Sequence, residues 1–178
     1  MHNKYNEEEM GVIHLNMYFT GGTESFLKKF LNENKQETLV FRHNEDAFLL
    51  VHETEGSSLF KEPRKYEVVV ARGTIITPSG YAVFDHIPVR DESRPLFEYH
   101  FKNSTSSIEN QQGFRAIRVL RPRKSDTYII FTLWKSEADY KNWKGSPSFS
   151  ETYTLAPKIF LRPSFVTYYK IYEEKEDE

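Results

Sequence analysis

The sequence predicts an α+β fold in which two four-stranded antiparallel sheets, each carrying two helices on one face, close on each other as an α/β barrel within one chain. Three observations lead there. Along 178 residues the segments read strand–helix–strand–strand–helix–strand twice, the first time with an abbreviated last helix. Residues 40–63 align beneath 119–143, setting Arg42 against Arg121, Asp46 against Asp126 with one gap, Phe48 against Tyr128, Phe60 against Tyr140 and Lys61 against Lys141. The strands of 114–134 carry apolar residues on both faces, a pattern suited to a sheet covered on both sides. Each repeat is then a ferredoxin-like unit. Two such sheets packed face to face would cover what one leaves bare, making an intrachain pseudo-dimer. The alternative, that the repeats share only the rhythm of their hairpins, stays open.

The elements follow in order. Residues 1–9 are polar and read as a mobile tail. Val12 to Phe19 alternates as a strand, Gly21-Gly22 turns the chain, and Thr23-Glu24 starts a helix with Phe26, Leu27, Phe30 and Leu31 on its apolar face. Thr38–Arg42 and Ala47–Glu53 form a hairpin, Ser57–Pro63 a short helix, and Tyr66–Ala71 a strand. Gly80–Val89 is the next strand and Glu92 to about Asn110 a long helix. Phe114, Ala116, Arg118 and Leu120 share one face of the following strand, until Pro122 removes a donor and stops the ladder. Arg123-Lys124-Ser125-Asp126 is the hairpin loop, and Thr127–Trp134 the partner strand. Ser136, with Asp139 three residues on, caps a helix whose Tyr140 and Trp143 share a face. After Ser148–Leu155, Phe165–Tyr172 is a last strand and the acidic end is solvated. The expected halves are 10–78 and 79–172, between tails 1–9 and 173–178.

Composition narrows the function. A net charge of −2 gives no global attraction to nucleic acid or anionic membrane. The absence of cysteine excludes disulfides, thiolate metal sites and a cysteine nucleophile. No apolar run approaches a membrane span and the first residues do not resemble a signal peptide, so a cytoplasmic protein is expected. The six histidines lack HxxxH or HExxH spacing, and GxSxG, P-loop and GxGxxG motifs are missing. The arginines of 115–124 read as solvated or salt-bridged rather than as a nucleic-acid surface. One polar group stands out. In the strand 81–89 the odd positions share a face, so Asp85 lies between Val83 and Ile87. A carboxylate there must be paired, protonated or lining a cavity, and Arg118 or the backbone would be an ordinary partner.

The segments GYAVFDHIPV, RPLFEYHFKN, GFRAIRVLRP, SDTYIIFTLWKSEADYKNW, SPSF and RPSFVTYYK resemble the antibiotic-biosynthesis-monooxygenase superfamily. Within it they are most similar to the long-form bacillary heme-degrading monooxygenases, and YEVV (66–69) and HET (52–54) extend the likeness weakly into the first half. The same group contains a staphylococcal signal-transduction protein.

The resemblance implies heme as substrate and cofactor, O₂, an external reductant from an unidentified electron donor, and iron release on porphyrin opening. It implies a catalytic pair at Asp85 and Trp143 and a heme-iron ligand at Tyr153, where the family places an Asn, a Trp and a proximal His. Arg118 is a further candidate for cofactor binding, and His86 and His100 are alternative metal ligands. Tyr can ligate ferric iron only as phenolate, and an ionised Asp can only accept a hydrogen bond where Asn would donate, so impaired turnover is implied. Two other functions remain open: a non-catalytic signalling or stress protein, and a cofactor-independent oxygenase acting on a small aromatic molecule. A monomer is expected, with a homodimer the alternative.

Overall fold

Eight strands close into an antiparallel barrel in a computed structural model that describes residues 14–34, 38–42, 48–155, 157–171 and 173. They are β1 (Asn16–Gly22), β2 (Thr38–Arg42), β3 (Phe48–Thr54), β4 (Arg64–Gly73), β5 (Tyr81–Pro88), β6 (Phe114–Pro122), β7 (Thr127–Trp134) and β8 (Phe165–Ile171). Around the barrel the order is β1-β3-β2-β8-β5-β7-β6-β4, with β4 back against β1. The first four strands therefore run β4-β1-β3-β2 and the last four β8-β5-β7-β6, the same ferredoxin-like order twice. β2–β8 and β4–β6 join the two sets. A closed barrel leaves no long strand edge unpaired.

The twofold periodicity of each strand divides the core. Inward residues Met17, Phe19, Val51, Ala82, Phe84, Ala116, Leu120, Ile129, Phe131 and Leu133 fill the barrel. Outward residues of β5, β6 and β7, including Val83, Ile87, Ile117, Val119, Tyr128, Ile130 and Trp134, pack beneath the helices. Those helices are α2 (Arg94–Ser104), α3 (Glu137–Lys144) and α4 (Pro147–Tyr153), while α1 (Glu24–Asn34) covers the outer face of the first set through Leu27 and Phe30.

Several expectations change. No helix forms at Ser57–Pro63, where the chain bends, yet Phe60 still packs on Phe30 at a ring separation of 5.2 Å. The long helix predicted from Glu92 is instead a turn at Asp91–Ser93, α2, and a second turn at Ser106–Asn110. The break falls at Thr105, fully buried, whose Oγ1 accepts from Arg72 Nε at 3.0 Å, and beyond it Ile108 is buried. Residues 147–153, predicted without a helix, form α4: Ser146 Oγ accepts from the Phe149 N–H and Pro147 occupies the first turn, both standard ways to begin a helix. Phe114 does not share a face with Ala116, because a bulge between them turns it outward against Trp134. Phe26, placed on the apolar face of α1, is 44% exposed. The expected tail at 1–9, the expected tail at 173–178 apart from residue 173, and the start of the first strand at Val12 lie outside the described residues.

Candidate active site on the helix face of the second sheet

Asp85 is on β5 at an outward position, between Val83 and Ile87 as the alternation requires, and under α3 and α4. Its Oδ1 is buried and has no hydrogen-bond partner. Burial pushes its carboxyl up to about 6, against the pull of the Lys144 charge and of a hydrogen bond from the Tyr153 hydroxyl. Tyr153 and Tyr140 feel the charge of this carboxyl, and Tyr81 and Tyr168 continue the ring cluster beyond Tyr140. Tyr81 stacks on Tyr168 at 6.1 Å and lies 6.0 Å from Tyr140, and Tyr140 and Tyr168 are also 6.0 Å apart. Tyr153, the last residue of α4, stacks on Phe149 at 4.6 Å and meets Trp143 edge-on at 6.1 Å.

These surroundings fix the phenols in their neutral form. Burial, then the Asp85 charge, then Tyr140, raise Tyr153 well above its ordinary range. Burial raises Tyr81 to about 12, with smaller effects from Glu137 and Tyr168. Tyr140 is raised too, by burial and then by Tyr168. The site is a weakly acidic carboxyl within a wall of protonated phenols, open toward solvent at Tyr168, which is 44% exposed.

Trp143 is 2% exposed, packed 5.1 Å from Trp134, and its Nε1 donates to Ser148 Oγ at 3.3 Å. The cap of α3 places it. The Asp139 N–H donates to Ser136 Oγ at 3.2 Å, the N-cap bond, and Ser136 Oγ donates to Asp139 Oδ2 at 2.8 Å. Gly113 makes room for that carboxylate: its φ is +76°, and a Cβ there would lie 2.2 Å from Asp139 Oδ2.

Of the residues singled out from sequence, Asp85, Trp143 and Tyr153 are brought together from three elements. The others are not. Arg118 points inward with Ala116 and Leu120, so it neither pairs with Asp85 nor reaches this face. Its Nε donates to Glu53 Oε2 at 2.6 Å, its Nη2 to Glu53 Oε1 at 3.2 Å, and its remaining donors go to the Arg72, Gly73 and Ile117 carbonyls. His86 is one residue from Asp85 and therefore also faces inward, stacked 4.4 Å on Phe165 and 3.1 Å from Thr167 Oγ1. Burial, with Arg64 second, holds its imidazole below the ordinary range. His100 lies on α2 and donates from Nε2 to the Thr152 carbonyl at 2.8 Å, next to Tyr153 in sequence but committed to the backbone. Tyr81 and Tyr168 were not anticipated. Tyr81 could have been, since it is four residues before Asp85 on the same strand face. Tyr168 lies one strand away, opposite Val83, a register that no local pattern reveals.

The chain is similar to several known proteins. Residues 81–154 match the family described as Antibiotic biosynthesis monooxygenase. A heme-degrading monooxygenase of Listeria monocytogenes is 26% identical over 149 residues, covering 84% of this chain and 89% of that protein. The signal transduction protein TRAP of Staphylococcus epidermidis is 26% identical over 139 residues, 78% of this chain and 82% of its own. The solved structure of a major regulator of staphylococcal pathogenesis shares the fold, with a TM-score of 0.76 at 23% identity over 90% of this chain and 99% of that one. No helix among the described residues is long and apolar enough to cross a membrane. The segment that contributes Asp85, Trp143 and Tyr153 is thus the one that matches the antibiotic biosynthesis monooxygenase family.

Proposed function

We propose that the protein binds heme as a substrate at the Asp85–Trp143–Tyr153 site and opens it slowly, with O₂ and an external reductant. The observation that carries this reading is the meeting of those three side chains, from β5, α3 and α4, beneath a wall of aromatic rings. A heme entering from the Tyr168 side would press on Trp143 and Phe149, and Tyr153 would supply the iron ligand. The phenol must first lose its proton, and the neighbouring Asp85 carboxylate is placed to take it. Burial and the Asp85 charge both oppose that loss, so weak binding is expected. A phenolate also favours ferric iron over the ferrous state that oxygen chemistry needs. Asp85 when ionised can accept a hydrogen bond but offers none to a bound substrate.

The test is loss of the heme absorbance band with ascorbate as reductant, under catalase to remove the peroxide route. The natural protein should act slowly, and Asp85→Asn combined with Tyr153→His should be faster. Brisk turnover by the natural protein and slower turnover by the double variant would contradict the reading.

A second reading is favoured by the orphaned Oδ1. A carboxylate with a free oxygen and a raised pKa is a general base for a phenolic substrate, whose anion can itself pass an electron to O₂. Failure of hemin to bind, with a phenolic ligand perturbing Asp85, would select it. We further read 79–172 as the substrate-binding half and 10–78 as the half that closes the barrel in place of a second subunit. Light scattering should then give the mass of one chain.

A further inference from the structure

The arginine-rich run 115–124 divides in the structure into paired and unpaired charges. Arg115 donates to Thr77 and to the Ser79 carbonyl. Arg118 is buried on Glu53, and Arg121 bridges Glu98 at 2.6 Å and Glu67 at 2.8 Å. Arg123 and Lys124, at the exposed tip of the β6–β7 hairpin, have no carboxylate partner among the described residues. They line a cleft of about 720 Å³ with Arg64 and Lys65, the first residues of β4. Tyr66, Pro122 and neighbouring residues complete the walls, and no carboxylate lines them.

Four cations thus share one concavity in a chain of net charge −2. Lys65 is 5.8 Å from the Tyr18 ring centroid, a contact that holds the ammonium without neutralising it. The Arg64 charge is felt by two neighbouring groups, helping to depress His86 and drawing Tyr66 down against its burial. Like charges held this close repel, and an anion between the two walls would relieve that repulsion. The cations come from two chain segments, 64–65 and 123–124, that line one cleft, which suits a compact ligand better than a nucleic-acid backbone. Two guanidinium forks suit paired oxyanions. We propose that this cleft binds a small molecule carrying two or more adjacent phosphate or carboxylate groups. Asp85 opens outward under α3 and α4, whereas Tyr66 packs with the barrel core, so the proposal is independent of the heme reading.

Calorimetric titration of the full chain with inorganic pyrophosphate and with citrate, at low ionic strength, tests it. Saturable one-to-one binding of at least one is expected, weakening as salt rises, with inorganic phosphate about tenfold weaker. The stronger of the two probes identifies a phosphate or a carboxylate ligand. Arg64→Ser with Arg123→Ser should weaken binding by about tenfold or more, while Arg162→Ser, which removes a cation paired with Asp126 outside the cleft, should not. Both arginines are exposed, and unchanged thermal unfolding of the double variant would show the fold intact. Absence of saturable binding, or binding that the double variant leaves unchanged, overturns the proposal.

Discussion

Two half-buried carboxylates lie on opposite faces of the same barrel wall, and they are treated differently. Glu53, inside, receives both Nε and Nη2 of Arg118, whose other donors end on backbone carbonyls. Asp85, outside, is left with a buried oxygen that nothing satisfies and with one phenol as partner. A fully bonded ion pair serves structure, fixing β3 against β6 across the barrel. An under-bonded carboxyl is unfavourable to the fold, and such groups collect where a ligand is handled. The contrast separates a structural charge from a chemical one, although neither side chain by itself announces which it is.

The largest way to break this comparison is on the inner pair. Glu53→Ala strands the buried Arg118 charge and should destabilise the protein by about 3–5 kcal/mol in chemical denaturation, while Glu53→Leu with Arg118→Met should recover most of that.

On the outer face the sign reverses. The folded-state pKa of Asp85, about 6, lies above its value of 3.8 when exposed. Its protonation therefore favours the fold by about 3 kcal/mol, an advantage fully present below pH 3.8 and lost as pH rises through about 6. Asp85→Asn should flatten stability across that window. It should also raise the melting temperature at pH 7.5, by less than the full amount because the Tyr153 hydrogen bond is altered. A variant less stable at pH 7.5 would place Asp85 among the structural charges.

Smaller effects concern the support of Trp143. Gly113→Ala, with a positive φ and a Cβ colliding with Asp139, should cost more than about 1 kcal/mol. Ser136→Ala, which removes the α3 cap, should cost about 1 kcal/mol. Both are read from the shift in denaturation midpoint, and Trp143 fluorescence should report loosening around the indole in each.

Much of this was legible in the sequence because it follows from strict local rules. The period of two placed Asp85 with Val83 and Ile87, and Arg118 with Ala116 and Leu120. Spacing also gave the Ser136–Asp139 cap and the shared face of Tyr140 and Trp143. What parity cannot say is whether the face of Asp85 and the face of Arg118 coincide, since that depends on how β5 and β6 register through β7. It placed them together as possible partners, and the barrel wall separates them. The bulge before Ala116 reversed Phe114, and the break at Thr105 depends on Arg72 from the first set of strands. Both are set by contacts distant in sequence. Helix α4 was missed although Ser146-Pro147 is a sound start signal, because seven residues give too short a period to read.

The central claim, that Asp85 and Tyr153 form a ligand-handling pair, is tested most directly by titrating hemin into the natural protein and into Tyr153→Phe while recording the absorption spectrum. The account predicts a high-spin ferric spectrum of the phenolate type for the natural protein. It predicts loss of that signature and about tenfold weaker binding in the variant, the equivalent of about 1.4 kcal/mol. An unchanged spectrum and affinity in Tyr153→Phe would contradict it and move the ligand away from α4.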